Sequence, residues 1–335
     1  MPYNDIIRKF IDMYAGRLRN QVSFMLSACN FYMPIFEEAL DAYGLPLELR
    51  YLPIIESALN PSAVSRAGAS GLWQFMIGTG KIYGLESNSL VDERRDPIKA
   101  TWAAARYLKE MYDIYGDWNL VIAAYNCGPG TINKAIRRAN GETDYWKIYN
   151  YLPKETRGYV PAFIAANYVM TYYCDHNICP METNIPASTD TVQVNKNLHF
   201  EQIADLCNVP LDQIKSLNPQ YKKQMIPGDS KPYTLRLPID AISTFIDKQD
   251  TIYAHRADEL FRNRKTVAVK EITPSTRKTT TAVAGKGKLT YYTIKSGDTL
   301  STIAGKYGVT IKDIQRWNGM SNTKIAAGKR LKIYK

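Results

Sequence analysis

Residues 54–76 read IIESALNPSAVSRAGASGLWQFM, and this stretch places one carboxylate, Glu56, among apolar side chains ahead of a Ser/Gly loop. An acid with few water contacts is hard to ionise, so the pKa of Glu56 should lie above its ordinary value, as a general acid requires. The alternative is an ordinary solvated glutamate. The prolines around it predict a helix that begins near Pro46 and ends before Pro61, with Glu56 near its C-terminal end.

The chain up to about residue 178 has the apolar spacing of consecutive helices. The clearest examples are DIIRKFIDMYAGRLRNQVSFML (5–26), MPIFEEALDAYG (33–44) and IKATWAAARYLKEMYDIYG (98–116). Because alternating strand patterns are scarce there, this part of the chain is predicted to be a helical domain.

Two later segments, 192–238 and 291–334, each have the pattern of a short strand, two short helices and a short strand. They align without a gap at an offset of 100, for example Val194 with Ile294 and Asn218 with Asn318. This indicates an internal repeat of about 45 residues. Residues 263–288 are rich in Thr, Lys, Arg and Gly and predict an extended flexible linker. Residues 239–262 fit either a helix packed on the first copy or a polar connector.

The composition indicates a globular protein whose excess of basic residues suggests an anionic partner. The alternative is a solvated basic linker, because much of the excess lies near residues 262–288. The 335 residues include 43 Lys and Arg against 32 Asp and Glu, a net charge of +11, which suits nucleic acid, a membrane surface or an acidic wall polymer. No motif supports nucleic acid. The start MPYNDIIRKF lacks the features of a signal peptide, so the protein is either cytosolic or begins after a removed export signal.

Several other kinds of site are disfavoured. The three histidines are far apart in sequence and no G-x-S-x-G occurs, which argues against a histidine-based triad. Cys174, His176 and Cys179 supply three ligands where a structural zinc site needs four. The two cysteines could instead form a disulfide. Phe75 stands where a phosphate loop needs its first glycine. We therefore expect neither a metal nor a cofactor.

Four segments carry polar groups for which a purely structural explanation is strained. They are Glu56-Ser57 with Ser65, Gly71–Met76 (GLWQFM), Ala123–Gly130 (AAYNCGPG) and Leu152–Pro161 (LPKETRGYVP). Together they offer one acid, several amides and hydroxyls, and aromatic faces. A sugar polymer needs such a set, because its hydroxyl and acetamido groups accept hydrogen bonds and its rings stack on aromatic side chains.

In this order, these motifs resemble the lytic transglycosylase domain related to goose-type lysozyme, in its membrane-bound D subfamily. The two repeats resemble LysM modules, which bind peptidoglycan and chitin. The second repeat, with YTIKSGDTL at 292–300, matches closely, whereas the first has Lys196-Asn197-Leu198 where the second has Ser296-Gly297-Asp298. The resemblance implies an α+β multidomain fold, with a mainly α-helical lysozyme-like catalytic domain followed by two small βααβ LysM domains.

The resemblance also implies roles for individual residues. Glu56 would be the only catalytic carboxylate, assisted by Tyr159. The expected substrate-binding residues are Ser57, Ser65, Gln74, Phe75, Met76, Tyr125 and Asn126, and in the second LysM module Gly297, Asp298, Thr299 and Asn318 would contact glycan. For Phe75, Met76 and Tyr125, core packing is the alternative. Asp92, Glu93 and Asp96 are candidates for a second acid, although their arginine neighbours suggest local ion pairs.

The predicted domains are a catalytic domain at 1–182, a divergent LysM domain at 190–240, a connector and basic linker at 241–289, and a LysM domain at 290–335. The expected reaction is cleavage of the MurNAc-β-1,4-GlcNAc bond of peptidoglycan with formation of 1,6-anhydro ends. A hydrolytic muramidase and a non-catalytic wall-binding scaffold are the alternatives. We expect a monomer in the bacterial envelope, in the periplasm or at the outer membrane, with any membrane attachment made through a segment absent from this chain.

Overall fold

A computed structural model of the chain describes residues 3–183, 185–186, 188–261, 289–295, 297–320, 322–323 and 325–334. The chain divides into two compact units, Met1–Glu271 and Ile272–Lys335. The predicted linker at 263–288 lies outside the described residues.

The first part of the first unit is helical and packs around one hydrophobic core. Its α-helices are α1 (Asp5–Ala15), α2 (Arg19–Ala42), α3 (Leu52–Ser57), α4 (Ile77–Ile82), α5 (Pro97–Tyr115), α6 (Trp118–Cys127), α7 (Pro129–Arg138), α8 (Tyr145–Ile148) and α9 (Lys154–Thr171). Short 3-10 turns occupy Leu47–Tyr51, Glu93–Arg95 and Tyr149–Tyr151. We call this part the helical domain.

The predicted apolar stretch 5–26 is divided between α1 and α2. Helix α2 then runs without a break through Pro34, so the end of that stretch and most of the stretch 33–44 belong to one helix of 24 residues. Proline lacks the backbone N–H for the helical hydrogen bond and usually kinks a helix. Here Tyr32, Phe36 and Leu40, on either side of Pro34, are buried in the domain core. Their burial explains why the helix continues.

Helix α3 ends one residue after Glu56, within the limits that the prolines predicted. The chain turns there because Ala58 and Leu59 both adopt left-handed backbone conformations, with φ of 51° and 58°. Such angles are uncommon without glycine and often mark functional sites. The turn leaves the Glu56 side chain at the helix end, beside the 63–76 segment.

The rest of the first unit has a core of its own. Its elements are β1 (Thr189–Val194), β2 (Asn197–His199), α10 (Phe200–Cys207), α11 (Leu211–Leu217), β3 (Met225–Pro227), β4 (Tyr233–Pro238), α12 (Ile239–Asp247), α13 (Gln249–Ala254) and α14 (Ala257–Leu260). Strand β1 pairs with β4 and β2 with β3, both antiparallel. We call residues 188–261 the first repeat domain.

Helices α12 to α14 pack on the first repeat, one of the two alternatives for residues 239–262. Ala241, Phe245 and Ile252 are buried in the same core as the repeat. The side-chain amide of Gln202 in α10 also donates to the carbonyl oxygens of Tyr253 (3.1 Å) and His255 (2.7 Å). The first repeat domain therefore extends through these helices.

The second unit contains the second repeat, in the order β5 (Leu289–Thr293), α15 (Leu300–Tyr307), α16 (Ile311–Asn318) and β6 (Arg330–Tyr334). Strands β5 and β6 pair antiparallel, as a βααβ module requires. Its core includes Ile303, Ile314, Trp317 and Ile333. The α+β multidomain fold is thus confirmed.

One asparagine fastens each repeat in the same way. Asn318 Nδ2 donates to the carbonyls of Ile314 (2.9 Å) and Lys332 (2.7 Å), and its Oδ1 accepts from the Lys332 N–H (2.7 Å). Asn218 makes the same three bonds, to Ile214 (2.9 Å) and twice to Arg236 (2.8 and 2.9 Å). The alignment at an offset of 100 therefore pairs residues with equal structural tasks.

Within the described part of the chain, no helix has both the length and the apolar character that crossing a bilayer demands.

Candidate active site

Glu56 lines an open pocket of about 430 Å³ on the surface of the helical domain. Four parts of the chain build the pocket: α1, α2, the end of α3, and the chain from Ala63 to Gln74. The lining residues are Tyr14, Leu18, Gln21, Met25, Ile54, Ile55, Glu56, Ser57, Ala58, Ala63, Val64, Ser65 and Gln74. Among these described residues Glu56 is the single carboxylate.

Tyr159 of α9 donates its hydroxyl hydrogen bond to Glu56 Oε1, although 103 positions separate the two residues. The pKa of Glu56 is raised to about 7, mainly by burial. The Tyr159 hydrogen bond opposes this shift, and the nearby charge of Glu155 adds to it. Burial is also the main reason that the pKa of Tyr159 lies well above its ordinary value. Near neutral pH the tyrosine is therefore a fixed donor, and Glu56 can both give and accept a proton.

The 65–76 loop carries several of the predicted binding residues. Gln74 has a left-handed backbone with φ of 48°, and its side-chain amide donates to the Gly71 carbonyl at 2.8 Å. Ser65 is exposed, and its Oγ accepts from the Ala69 N–H at 3.0 Å. Ser57 Oγ lies 3.0 Å from the Leu72 carbonyl. This contact ties the helix end that carries Glu56 to the loop.

Tyr125 and Asn126 lie at the end of α6. The Tyr125 hydroxyl donates to the Trp73 carbonyl at 2.7 Å, and burial, followed by the charge of Glu56, raises the tyrosine's pKa. Asn126 Oδ1 accepts from the Thr156 hydroxyl at 2.8 Å. Tyr125 is therefore close to Glu56, whereas one acceptor of Asn126 is already used inside the protein.

Phe75 and Met76 take different positions from Gln74. Phe75 is 3% exposed and packs in the core of the helical domain, which is the core-packing alternative. Met76 is half-buried at the start of α4. Neither is among the residues that line the Glu56 pocket, so their role as walls for the substrate stays a prediction.

The three candidates for a second acid have structural partners. Asp92 forms a buried ion pair with Arg94. Glu93 pairs with Lys99 and accepts from the Glu86 N–H at 2.8 Å. Asp96 caps α5 by accepting from two backbone N–H groups. None of the three lines the Glu56 pocket.

Sequence reasoning missed Tyr14, Gln21 and Met25, which also line the pocket. They belong to α1 and α2, where no polar motif stands out. The only signal is spacing, since Gln21 and Met25 are four residues apart and share one face of α2.

In the second unit, three of the predicted glycan-binding residues, Gly297, Asp298 and Thr299, lie around the start of α15. The fourth, Asn318, is the residue that is hydrogen-bonded to Ile314 and Lys332. Gly297 has φ of 87°. Asp298 accepts from the Tyr292 hydroxyl and the Lys295 N–H, both at 2.8 Å, and Thr299 caps α15. Asn318 uses its amide and carbonyl within the repeat. Glycan contact by these residues stays a prediction.

The raised pKa of Glu56 predicts how activity depends on pH. If the reaction needs the protonated acid, kcat/KM should be level at low pH and fall by about tenfold per unit as the pH rises through about 7. Tyr159→Phe removes a hydrogen bond that favours the ionised form of Glu56. It should therefore move the falling limb of the pH profile to higher pH. A limb near the ordinary glutamate pKa would contradict the assignment of Glu56 as the acid.

The sequence matches three family models. They are the transglycosylase SLT domain at residues 33–148, the lytic transglycosylase MltD LysM-like domain at 188–254, and the LysM domain at 292–333. The first match contains Glu56, the 65–76 loop and Asn126, but ends before Tyr159.

Similarity to known proteins extends over the whole chain. The membrane-bound lytic murein transglycosylase D of Escherichia coli (strain K12) is 32% identical over 339 residues, covering 99% of this chain and 70% of that protein. The soluble lytic murein transglycosylase of the same strain is 33% identical over 124 residues, which are 35% of this chain and 19% of that protein. The crystal structure of the 70 kDa soluble lytic transglycosylase from Escherichia coli superposes with a TM-score of 0.38 and 29% identity, over 43% of this chain and 24% of that one. From the extent of the first similarity, the chain belongs to the membrane-bound lytic murein transglycosylase D family.

Proposed function

We propose that this chain is a peptidoglycan lytic transglycosylase in which Glu56 alone supplies the acid and base chemistry. Family membership supports an enzyme that acts on peptidoglycan, and the proposal concerns the reaction and the residues. The observation that carries it is the Glu56 pocket: one carboxylate with a raised pKa, a tyrosine donor, and no other acid among the described lining residues.

In the first step Glu56 gives its proton to the oxygen of the MurNAc-β-1,4-GlcNAc bond. The C1–O bond breaks, and positive charge develops at C1 of the muramic acid. In the second step the Glu56 carboxylate takes the proton from the C6 hydroxyl of the same sugar, and the C6 oxygen bonds to C1. The 1,6-anhydro ring closes, Glu56 is protonated again, and no water is consumed.

One carboxylate suffices because the nucleophile belongs to the substrate. Most glycosidases need a second carboxylate that activates water or attacks C1. An attack within one molecule can have an effective molarity of about 10⁵ M or more when it is well oriented. A carboxylate that alternates between acid and base should have a pKa near the working pH, which agrees with a pKa of about 7 for Glu56.

Tyr159 holds the carboxylate in place and steers its proton. Gln74 and Ser65 lie at the pocket where acetamido, lactyl or hydroxyl groups of the sugars would enter. Ser57 also lines the pocket, and the set is completed by four residues outside its lining, Asn126, Tyr125, Phe75 and Met76.

The mass of the product decides between this reaction and hydrolysis. Digestion of purified sacculi by the chain should release muropeptides that are one water lighter than the products of a muramidase acting on the same sacculi. Products with reducing ends in the majority would show hydrolysis, and no products at all would favour a wall-binding scaffold.

The other domains would bind peptidoglycan or support the catalytic domain. We assign catalysis to residues 1–182, a LysM-like domain to 188–261 and a LysM module to 290–335. A peptidoglycan substrate implies a location in the cell envelope, and the name of the Escherichia coli relative, a membrane-bound transglycosylase, supports membrane attachment. Because one chain builds the whole pocket, a monomer can be active.

A further inference from the structure

A segment of the helical domain, residues 86–92, extends into the first repeat domain, and we call it the docking arm. Val91 and Tyr221 form an antiparallel bridge. The Asp92 N–H donates to the Gln220 carbonyl and the Lys222 N–H donates to the Leu90 carbonyl, both at 2.8 Å. The docking arm therefore pairs with the first repeat domain as a short strand would.

The side chains of the docking arm strengthen this contact. Leu90 is 1% exposed and Val91 is fully buried, and both belong to the core of the first repeat domain. Glu86 forms an ion pair with Lys231 at 2.7 Å and accepts from the Tyr233 hydroxyl at 3.1 Å. Apolar burial and polar contacts together hold the two domains in one arrangement.

The end of the docking arm is connected to the 65–76 loop through the ion pair between Asp92 and Arg94. Arg94 Nε and Nη2 donate to the two oxygens of Asp92 at 2.9 and 2.8 Å. Its Nη1 donates to the carbonyls of Gly68 (2.8 Å) and Phe75 (2.9 Å), at opposite ends of the loop turn. The side chains of Arg94 and Asp92 are only 6% and 3% exposed. The backbone of Asp92 thus contacts the first repeat domain, and its side chain contacts Arg94.

The loop also packs directly on the backbone at residue 94. A Cβ atom added to Gly71, where φ is 88°, would lie 1.7 Å from the Arg94 carbonyl oxygen. The Arg95 Nε donates to Ser70 Oγ at 3.0 Å. Because this loop brings Gln74 to the Glu56 pocket, a shift at residue 94 must move a wall of the pocket.

We propose that the first repeat domain positions the 65–76 loop through Asp92 and Arg94, which makes Arg94 a positioning residue for the cleavage reaction. This inference rests on the proposed role of Glu56. It gives the first repeat domain a task inside the catalytic unit, separate from any binding of glycan by that domain.

Arginine is suited to this task. Its planar guanidinium group can form a two-pronged bond to one carboxylate and still donate to carbonyls on another side, whereas a lysine ammonium group cannot reproduce this geometry. Small errors in the position of groups around a reacting bond reduce rates strongly, by about 10²-fold for about 1 Å.

The first experiment uses Arg94→Lys in the full chain, with kcat and KM measured on a short soluble glycan. We expect kcat to fall by about tenfold or more with a smaller change in KM. Asp92→Asn keeps the shape and should lower kcat in the same direction. The matched control is Arg106→Lys, an exposed arginine paired with Glu110 on α5, which should leave kcat unchanged.

The pH profile separates positioning from simple loss of stability. A displaced loop lets water reach Glu56, so in Arg94→Lys the limb near pH 7 should move to lower pH. A purely structural role would lower the folded fraction and leave the profile of the remaining enzyme unchanged. The titratable groups that face Glu56 are Tyr14 from α1, Tyr125 from α6, and Glu155 and Tyr159 from α9.

A second pair of variants tests the link to the first repeat domain. Val91→Ala and Val209→Ala remove the same atoms from one core, but Val91 lies on the docking arm and Val209 on the turn between α10 and α11. Both variants should lose a similar amount of thermal stability, but only Val91→Ala should reduce kcat. Equal kcat values in the two variants would overturn the role of the domain.

If Arg94→Lys keeps kcat within twofold and the pH profile superposes on that of the unaltered chain, Arg94 is not a positioning residue. Glu56→Gln is measured in the same assay. Activity in that variant would refute the proposed function instead, so the two failures are distinguishable.

Discussion

Glu56→Gln is expected to reduce cleavage of peptidoglycan by about 10²- to 10⁴-fold, the range that a general acid contributes. Glutamine has nearly the same shape as glutamate and can still accept the Tyr159 hydrogen bond, but it has no proton to give. The measurement is the rate of release of anhydro-muropeptides from sacculi, followed by mass spectrometry. The matched control is Glu155→Gln, which removes a nearby carboxylate that does not line the pocket.

Protein stability provides an independent check on the same variant. The pKa of Glu56 is about 7 in the folded chain and near 4.3 in an unfolded one. A raised carboxyl pKa means that the folded state loses stability as pH rises between these values. At pH 8, Glu56→Gln should therefore have a larger free energy of unfolding than the unaltered chain, by up to about 4 kcal/mol, and a higher unfolding temperature. The difference should shrink toward pH 4.

If Glu56→Gln still released anhydro products at nearly the normal rate, another residue would be the acid. If instead Glu155→Gln abolished cleavage and the normal products carried reducing ends, a hydrolytic mechanism with two carboxylates would replace the one proposed here.

Deletion of residues 263–335 is expected to weaken binding to sacculi by about 10²-fold or more, because it removes one of two linked sites on the same polymer. Binding is best measured in the Glu56→Gln background, so that the sacculi are not digested during the assay. Turnover of a short soluble glycan by the otherwise unaltered chain should not change, since the second unit has a core of its own.

Lost turnover on the short glycan would contradict this division of labour. Unchanged affinity for sacculi would mean that the second LysM module does not contribute to wall binding. If affinity does fall, Asp298→Asn in the full chain would show whether the start of α15 takes part in glycan contact.

The sequence predicted much of the fold because the relevant signals are local. The prolines placed the end of α3, and the apolar spacing identified the helical domain. The repeat alignment paired Asn218 with Asn318, which have the same hydrogen bonds. The course of α2 through Pro34 was not predictable, because burial on both sides of that residue overrides its local preference.

The candidate site was predictable only in part. Apolar neighbours suggested the raised pKa of Glu56, but only the family resemblance linked it to Tyr159, since no spacing rule joins residues 103 positions apart. The docking arm was missed because its main contacts are backbone hydrogen bonds to 220–222, which any sequence can make. Ion pairing of Asp92 was anticipated, but the function of Arg94 depends on carbonyls at residues 68 and 75.

The left-handed backbone at Ala58, Leu59 and Gln74 frames the acid with residues that are not glycine. Conformations of this kind each store about 1–3 kcal/mol that the surrounding structure must hold in place. Glycine at Ala58 would release part of that energy, whereas at Leu59 it would also remove a side chain that is 1% exposed and packed in the core. At Gln74 it would remove the side-chain hydrogen bonds to the loop. Selection for thermal stability alone would therefore favour glycine only at Ala58, beside the acid, where a more flexible backbone would let the carboxylate move and would reduce the rate.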